Sequence, residues 1–444
     1  MASSSDPQLA NRILRGLVIG LIAGVITLGI GQIWPDVLTF MQKVATQIFD
    51  PVGQVFLRLL FFVIIPIVFA SLASGVLQLG QPERLGPLAG RTFFLFFINM
   101  AVGVGLGLLV MNVVQPGRFI DEETTKVLMA SYGGASETVV ANQKQAQEGL
   151  SLMMLVEMFM PRNLFGAFVG NSRASIGDVL PLILFAILVG AVGTKMAVDR
   201  REKLLEALNT VSELMTGIVH FALRLAPYAV PAMIYSVVVR VGLDIVIALG
   251  VFVLTCVGVL ALHLFGTMTL WIKFWTTRKP TEYFAAIKGV LITAFSTSSS
   301  AATLPASIEC AREKLKLSPS TSGFVLPLGA TMNMSGTALY EGCVVLFIAQ
   351  IFHVDLGMGQ QLTLLLLSVL SAVAVAAIPG GSLPLIAGLL ATFGVDPAGI
   401  GIILGIDRIL DMCRTSVNVG FDLTTATIVD EYVKKTEAKA AASP

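Results

Sequence analysis

Residues Ile406–Asp422 read IDRILDMCRTSVNVGFD, a polar stretch framed by apolar sequence. Placed on a helix at about 100° per residue, Asp407, Asp411, Arg414, Asn418 and Asp422 fall within an arc of roughly 80°, with Thr415 at its border. One side of a hydrophobic helix is thus a ladder of acid, acid, base, amide and acid. In lipid each charged residue costs on the order of 2.5–3.5 kcal/mol, so the ladder must face protein, ligand, ion or water. A structural ion-pair network between two helices is one reading. Three acids against Arg414 leave unpaired negative charge that a cation could fill, which favours a binding face.

Working outward, the 444-residue chain is 55% hydrophobic and 13% charged, where a soluble domain carries about a quarter charged residues. That composition predicts an all-α, polytopic membrane protein. Lys and Arg (29) nearly balance Asp and Glu (28), so no charge field points to nucleic acid. Cys256, Cys310, Cys343 and Cys413 are scattered singly, and His220, His263 and His353 lie far apart. Neither set has disulfide or metal-ligand spacing.

Charge-free or apolar runs place spans at Gly16–Pro35, around Leu59–Pro82 and Thr92–Gly117, at Val179–Thr194, within Leu204–Val239, and at Ile245–Ile272. Gly20 and Gly24 form a G-x-x-x-G, read as a packing face. Met1–Gln8 reads as disordered and Asp121–Glu148 as an exposed loop. Basic residues cluster at Arg12/Arg15, Arg84/Arg91, Lys195–Lys203, Lys273–Lys279, Arg312–Lys316 and Lys434–Lys439. The positive-inside rule makes these loops cytoplasmic, with both termini inside.

Two later segments do not read as simple crossings. Gly289–Ile308 is uncharged but centred on Ser296-Thr297-Ser298-Ser299-Ser300, with Pro305 following. Leu356–Val395 runs 40 residues without a charge and is split at Pro379-Gly380-Gly381-Ser382. Backbone left unpaired at mid-membrane depth is tolerated only around a protected or wet cavity, so both read as re-entrant hairpins. Each is followed by a polar-interrupted span, first Thr321–Gln350 with Thr331-Met332-Asn333-Met334-Ser335-Gly336-Thr337, then the Asp407–Asp422 helix. Hairpin then span, twice, is an inverted-repeat pattern with binding expected at broken helices. Tight helix packing by Ser and Gly is the plainer alternative. Packing motifs rarely place five hydroxyls in a row.

Thr297–Pro305, Asn333–Thr337, Ile378–Ser382 and Asp411–Asp422 resemble the motifs of the glutamate transporter family, the dicarboxylate/amino acid:cation symporters, and span order agrees over nearly the whole chain. The resemblance implies eight transmembrane helices plus two re-entrant hairpins, a homotrimer, and an elevator in which a transport domain slides against a scaffold. Scaffold would be residues 1–86 and 118–240, transport domain 87–117 and 241–435, and 436–444 a disordered tail. It also implies a bacterial-type transporter in the cell inner membrane.

The chemistry suits an acidic amino acid. Asp411 offers a counter-charge for the ammonium, and Arg414 a planar fork for the side-chain carboxylate. Asn418, Ser300 and hairpin-tip N–H groups can meet the α-carboxylate. A plain dicarboxylate would set like charge against Asp411, and a neutral amino acid would leave Arg414 without an anion. By the resemblance Ser298, Ser299, Thr337, Thr415, Ile378 and Ser382 also line the substrate.

For cations, the resemblance assigns one Na+ site to Asp422 with Gly329, Asn333 and Asn418, and a second to backbone around Thr331, Met334, Ala372 and Val375. A third site looks lost, since Ser335 stands where relatives have Asp, and Phe96, Asn99 and Met100 replace hydroxyl-bearing residues. Glu341, in an apolar stretch, matches an acid that animal relatives use as a proton carrier; H+ coupling is the corresponding expectation, and an ion pair with Arg408 the alternative. Arg408 either substitutes for a basic residue that relatives carry elsewhere or pairs with Asp407. Competing functions are a proton-only symporter, a carrier of C4-dicarboxylates or neutral amino acids, and an anion channel. No nucleophile–base pair suggests an enzyme.

Overall fold

In the computed structural model the described residues are 7–78, 82–120, 156, 160–169, 179–375 and 381–441, and every regular element among them is helical. The first group comprises α1 (Pro7–Ile33), α2 (Pro35–Val44), α3 (Asp50–Phe62) and α4 (Ile64–Gln78). After α5 (Pro82–Val114) come α6 (Leu164–Val169), α7 (Val179–Gly193), α8 (Val198–Leu223) and α9 (Ala226–Val241). The remainder runs α10 (Asp244–Ala261), α11 (Met268–Trp275), α12 (Pro280–Thr297), α13 (Ser300–Glu313), α14 (Pro319–Met332), α15 (Ser335–Ile351), α16 (Met358–Ala374), α17 (Leu383–Thr392) and α18 (Leu404–Ala441). Pro35, Pro280 and Pro319 open their helices, where a missing N–H costs nothing.

Packing sorts the helices into two blocks. In one, α1 lies along α9, and α4 along α7 and α8. Gly20 and Gly24 face Pro231 and Val238 of α9, so the G-x-x-x-G is a close helix contact. The other block is built on α18, which touches α10, α12, α14 and α15, while α5 lies along α15 and α16.

Among the described residues four stretches are long and apolar enough to cross a bilayer: Arg15–Ile33, Ala89–Phe119, Asp244–Trp275 and Pro319–Ile351. In the most apolar 18-residue window of each, 94% is buried in the last and 22% in the first, so Pro319–Ile351 is the interior rod and α1 a peripheral one.

The expected second span is two helices, α3 and α4, meeting at Val63. The run Leu204–Val239 divides at Arg224-Leu225, because Pro227 in the first turn of α9 cannot donate to a continuing α8. Ile245–Ile272 is interrupted by a π-turn at Leu262–Thr267. The expected loop Asp121–Glu148 and residues 1–6 lie outside the described residues.

Both anticipated breaks are present. α12 and α13 pack on each other across a two-residue tip, Ser298-Ser299. Ser298 takes a left-handed conformation (φ 49°), and the Ser299 hydroxyl caps α13 by accepting the Ala302 N–H at 3.2 Å. α16 and α17 also touch, and the intervening residues 376–380, Ile378 among them, are outside the described set. Between α14 and α15 the helix opens at Asn333-Met334.

Candidate functional site

The polar face of α18 is buried as one ladder. Asp407, Asp411, Arg414, Thr415, Asn418 and Asp422 are each at most 8% exposed. Above it lies a cavity with about 280 Å³ of empty volume. It is walled by Asp411, Thr415 and Asn418 of α18, Ser298 and Ser300 of the first hairpin, Met334 and Thr337 of the broken rod, and Val375, Gly381 and Ser382 of the second. Eight of the ten substrate-site residues expected from sequence are either in this wall or, for Arg414, immediately beneath it. Ser299 serves as a helix cap outside the wall, and Ile378 is outside the described residues.

Asn418 ties α18 to the broken rod. Its Oδ1 accepts the N–H of Gly336 (2.7 Å) and Thr337 (3.4 Å), capping α15 where the break leaves amides unpaired. Its Nδ2 donates to Thr337 Oγ1 (3.1 Å) and to the Met334 sulfur (3.3 Å).

Arg414 differs most from expectation. Sequence reading left its fork open for a ligand carboxylate. Instead Nη2 donates to Asp411 Oδ1 at 2.7 Å, and Nη1 lies 3.1 Å from Ser382 Oγ and 3.2 Å from Asp407 Oδ1. The guanidinium also stacks 4.1 Å over Tyr340. A guanidinium only 1% exposed requires anions, and two turns of one helix face supply them. Arg408 pairs with Asp411 Oδ2 at 3.6 Å, not with Asp407 or Glu341.

A second polar cluster lies further along α18. Asn333 Nδ2 donates to Asp422 Oδ1 at 2.9 Å, and Asn99 Nδ2 of α5 to Asn333 Oδ1 at 3.0 Å. Gly329 abuts the Asp422 carboxylate, where any Cβ would collide. The acid, the amide and the glycine of the first expected cation site are therefore adjacent. Of the second set, Val375 and Met334 face the cavity, Ala372 is buried, and Thr331 is exposed with its hydroxyl on the Leu328 carbonyl. These carboxylate and amide oxygens fit a hard cation such as Na+. Phe96, Met100 and Ser335 are all buried.

Glu341 is fully buried in α15, and the nearest hydroxyl offered to its carboxyl among the described residues is Ser371 of α16. Sequence reasoning passed over His263, buried in the π-turn with its ring stacked on Phe421 at 4.4 Å. An isolated histidine in an apolar run gave no spacing signal to find it by.

Broken helices around a buried polar cavity, in a chain this apolar, define a multi-pass membrane transporter. The sodium:dicarboxylate symporter family matches residues 9–432, and this chain belongs to that family, whose members are symporters and not enzymes. The Proton/sodium-glutamate symport protein of Bacillus subtilis (strain 168) is 32% identical, covering 96% of this chain and 92% of that protein. The Proton/glutamate-aspartate symporter of Escherichia coli (strain K12) is 28% identical over 89% and 87% of the two chains. The C4-dicarboxylate transport protein of Bacillus subtilis (strain 168) is 27% identical over 97% and 95%.

Proposed function

We propose that this chain imports acidic amino acids, aspartate or glutamate, coupled to Na+ and/or H+ by an elevator movement, as a homotrimer in the cell inner membrane with both termini cytoplasmic. The observation that carries the reading is one cavity with Asp411 in its wall, Arg414 directly behind, and both interrupted hairpins at its rim. An ammonium fits Asp411, a distal carboxylate reaches Arg414, and hydroxyls with helix-end amides receive the α-carboxylate. The relatives named for glutamate or aspartate support the same substrate.

In this reading the α1–α4 and α7–α9 block is the scaffold, and α5 with α10–α18 the moving part. Asp422, Asn333, Gly329 and Asn418 hold one Na+; Thr331, Met334, Ala372 and Val375 surround a second. The third position, with Ser335 in place of an acid, holds none, and Glu341 carries a proton instead. One relative's name favours C4-dicarboxylates as the second reading.

Purified protein in liposomes, with radiolabelled aspartate and separately imposed sodium and proton gradients, tests the proposal. Uptake driven by at least one gradient and competed by glutamate is expected. Succinate uptake without aspartate uptake would overturn the amino-acid reading, and indifference to both gradients would overturn coupling.

A further inference from the structure

We propose that Asn99 is a positioning residue for the cation site at Asp422: acting through the Asn333 side chain, it holds the carboxylate turned toward its ion without touching that ion. The inference rests on the Na+ reading of Asp422 above and names what orders that site.

Three elements meet in one buried relay. Asn99 lies on α5, Asn333 at the break between α14 and α15, and Asp422 on α18, and all three are at most 3% exposed. Their donors and acceptors fix the direction of the relay. An ionised Asp422 only accepts, so the Asn333 amide must turn Nδ2 toward it, and Nδ2 donates to Asp422 Oδ1 at 2.9 Å. Asn333 Oδ1 then faces α5, where Asn99 Nδ2 donates to it at 3.0 Å. A carboxylate fixed by one oxygen has the direction of the other set as well, and that oxygen is the one left for a cation.

Packing alone does not account for Asn99. Its own Oδ1 is buried with no hydrogen-bond partner among the described residues, and a buried acceptor left unmade is costly. Phe96 and Met100 beside it on α5 are apolar and buried, surroundings that suit leucine, which is close to Asn99 in shape. The bond to Asn333 is what asparagine adds. The Ser335 hydroxyl, two residues along from Asn333, does not supply that bond, since it is buried and likewise unbonded among the described residues. Without Asn99, Asn333 Oδ1 would be an unpaired acceptor in the core. The amide could then turn over and set its oxygen against Asp422, and the carboxylate would lose its fixed direction. Removing a hydrogen-bond partner behind a metal-ligating group typically costs about 10- to 100-fold in metal affinity.

The test is calorimetric, with L-aspartate, or succinate where aspartate does not bind, titrated at a series of Na+ concentrations and constant ionic strength. The proteins are wild type, Asn99→Leu, Asn333→Ala, their double variant and Asp422→Asn. In Asn99→Leu the Na+ requirement rises by about 10- to 100-fold, while substrate affinity at saturating Na+ stays within about threefold of wild type. Asn333→Ala removes the amide through which Asn99 acts and keeps the backbone oxygen. In that background Asn99→Leu shifts the requirement by less than about twofold. Asn99→Ala, which adds no bulk, gives the same rise and serves where Asn99→Leu fails to fold.

An unchanged Na+ requirement in the Asn99 variants overturns the proposal, and so does a full second shift in the Asn333→Ala background. Loss of one bound Na+ per chain in Asn99→Leu, read from the slope of log Kd against log Na+ concentration, would make Asn99 a ligand and overturn it too. If wild-type binding is indifferent to Na+, or Asp422→Asn leaves the requirement unchanged, the cation reading of Asp422 is what fails, and the role of Asn99 falls with it.

Discussion

At residue scale, Glu341 is the side chain whose surroundings are hardest to explain by packing. It is fully buried, among the described residues only the Ser371 hydroxyl faces it and no cation pairs with it, and Arg408, the cation one would look for, is committed to Asp411. Glutamine matches its volume and cannot exchange a proton. In liposomes Glu341→Gln should retain substrate binding yet lose proton flux and the pH dependence of uptake. Wild-type proton flux in the variant would remove Glu341 from the coupling scheme. That Asp411, Arg414 and Asn418 share a face was legible from their spacing alone. That Arg414 is already paired was not, because Asp407 reaches it through side-chain geometry that no periodicity encodes.

At the scale of elements, the charged end of α18, past its apolar part, is fastened to neighbouring turns. Asp430 forms an ion pair with Lys434 Nζ (2.7 Å) and accepts the Ser318 N–H (3.0 Å) and the Ser318 hydroxyl (2.6 Å). Burial pushes its carboxyl upward, but the ammonium and the two donors of Ser318 more than offset this and hold it below the ordinary range. A depressed carboxyl stabilises the fold fully above its unfolded value near 3.9, and that contribution is lost as pH falls through the lower folded value. Melting followed from pH 7 downward should therefore show wild-type protein losing stability relative to Asp430→Asn only in the acid range, about pH 4 and below. A constant difference down to that range's lower end would contradict it. Hairpin breaks were visible in sequence as serine and Pro-Gly runs. The π-turn was not, since Leu262–Thr267 holds neither a charge nor a proline to mark it.

On the scale of the whole molecule, the two blocks meet where α18 begins. Gly405 lies against Ile234 of α9 and Leu17 of α1; a Cβ there would sit 2.5 Å from Ile234 Cδ1. Gly405→Leu should cost about 1–3 kcal/mol by overpacking and slow transport. Aspartate affinity, set more than one turn away at Asp411, should stay unchanged. Equal loss of affinity and rate would show that Gly405 serves the cavity and not the contact between the two blocks. By itself the sequence determined that the chain is helical and membrane-embedded, that helices break near the serine run, at Asn333 and before Ser382, and which residues share the polar face of α18, because hydropathy and helical period are local properties. Only the tertiary structure decided which anions hold Arg414, that Asn418 caps a helix three breaks away, and that Gly329 leaves room for Asp422. Those contacts join residues 3 to 93 positions apart, and they form because a buried charge or amide must find its partner wherever folding brings one.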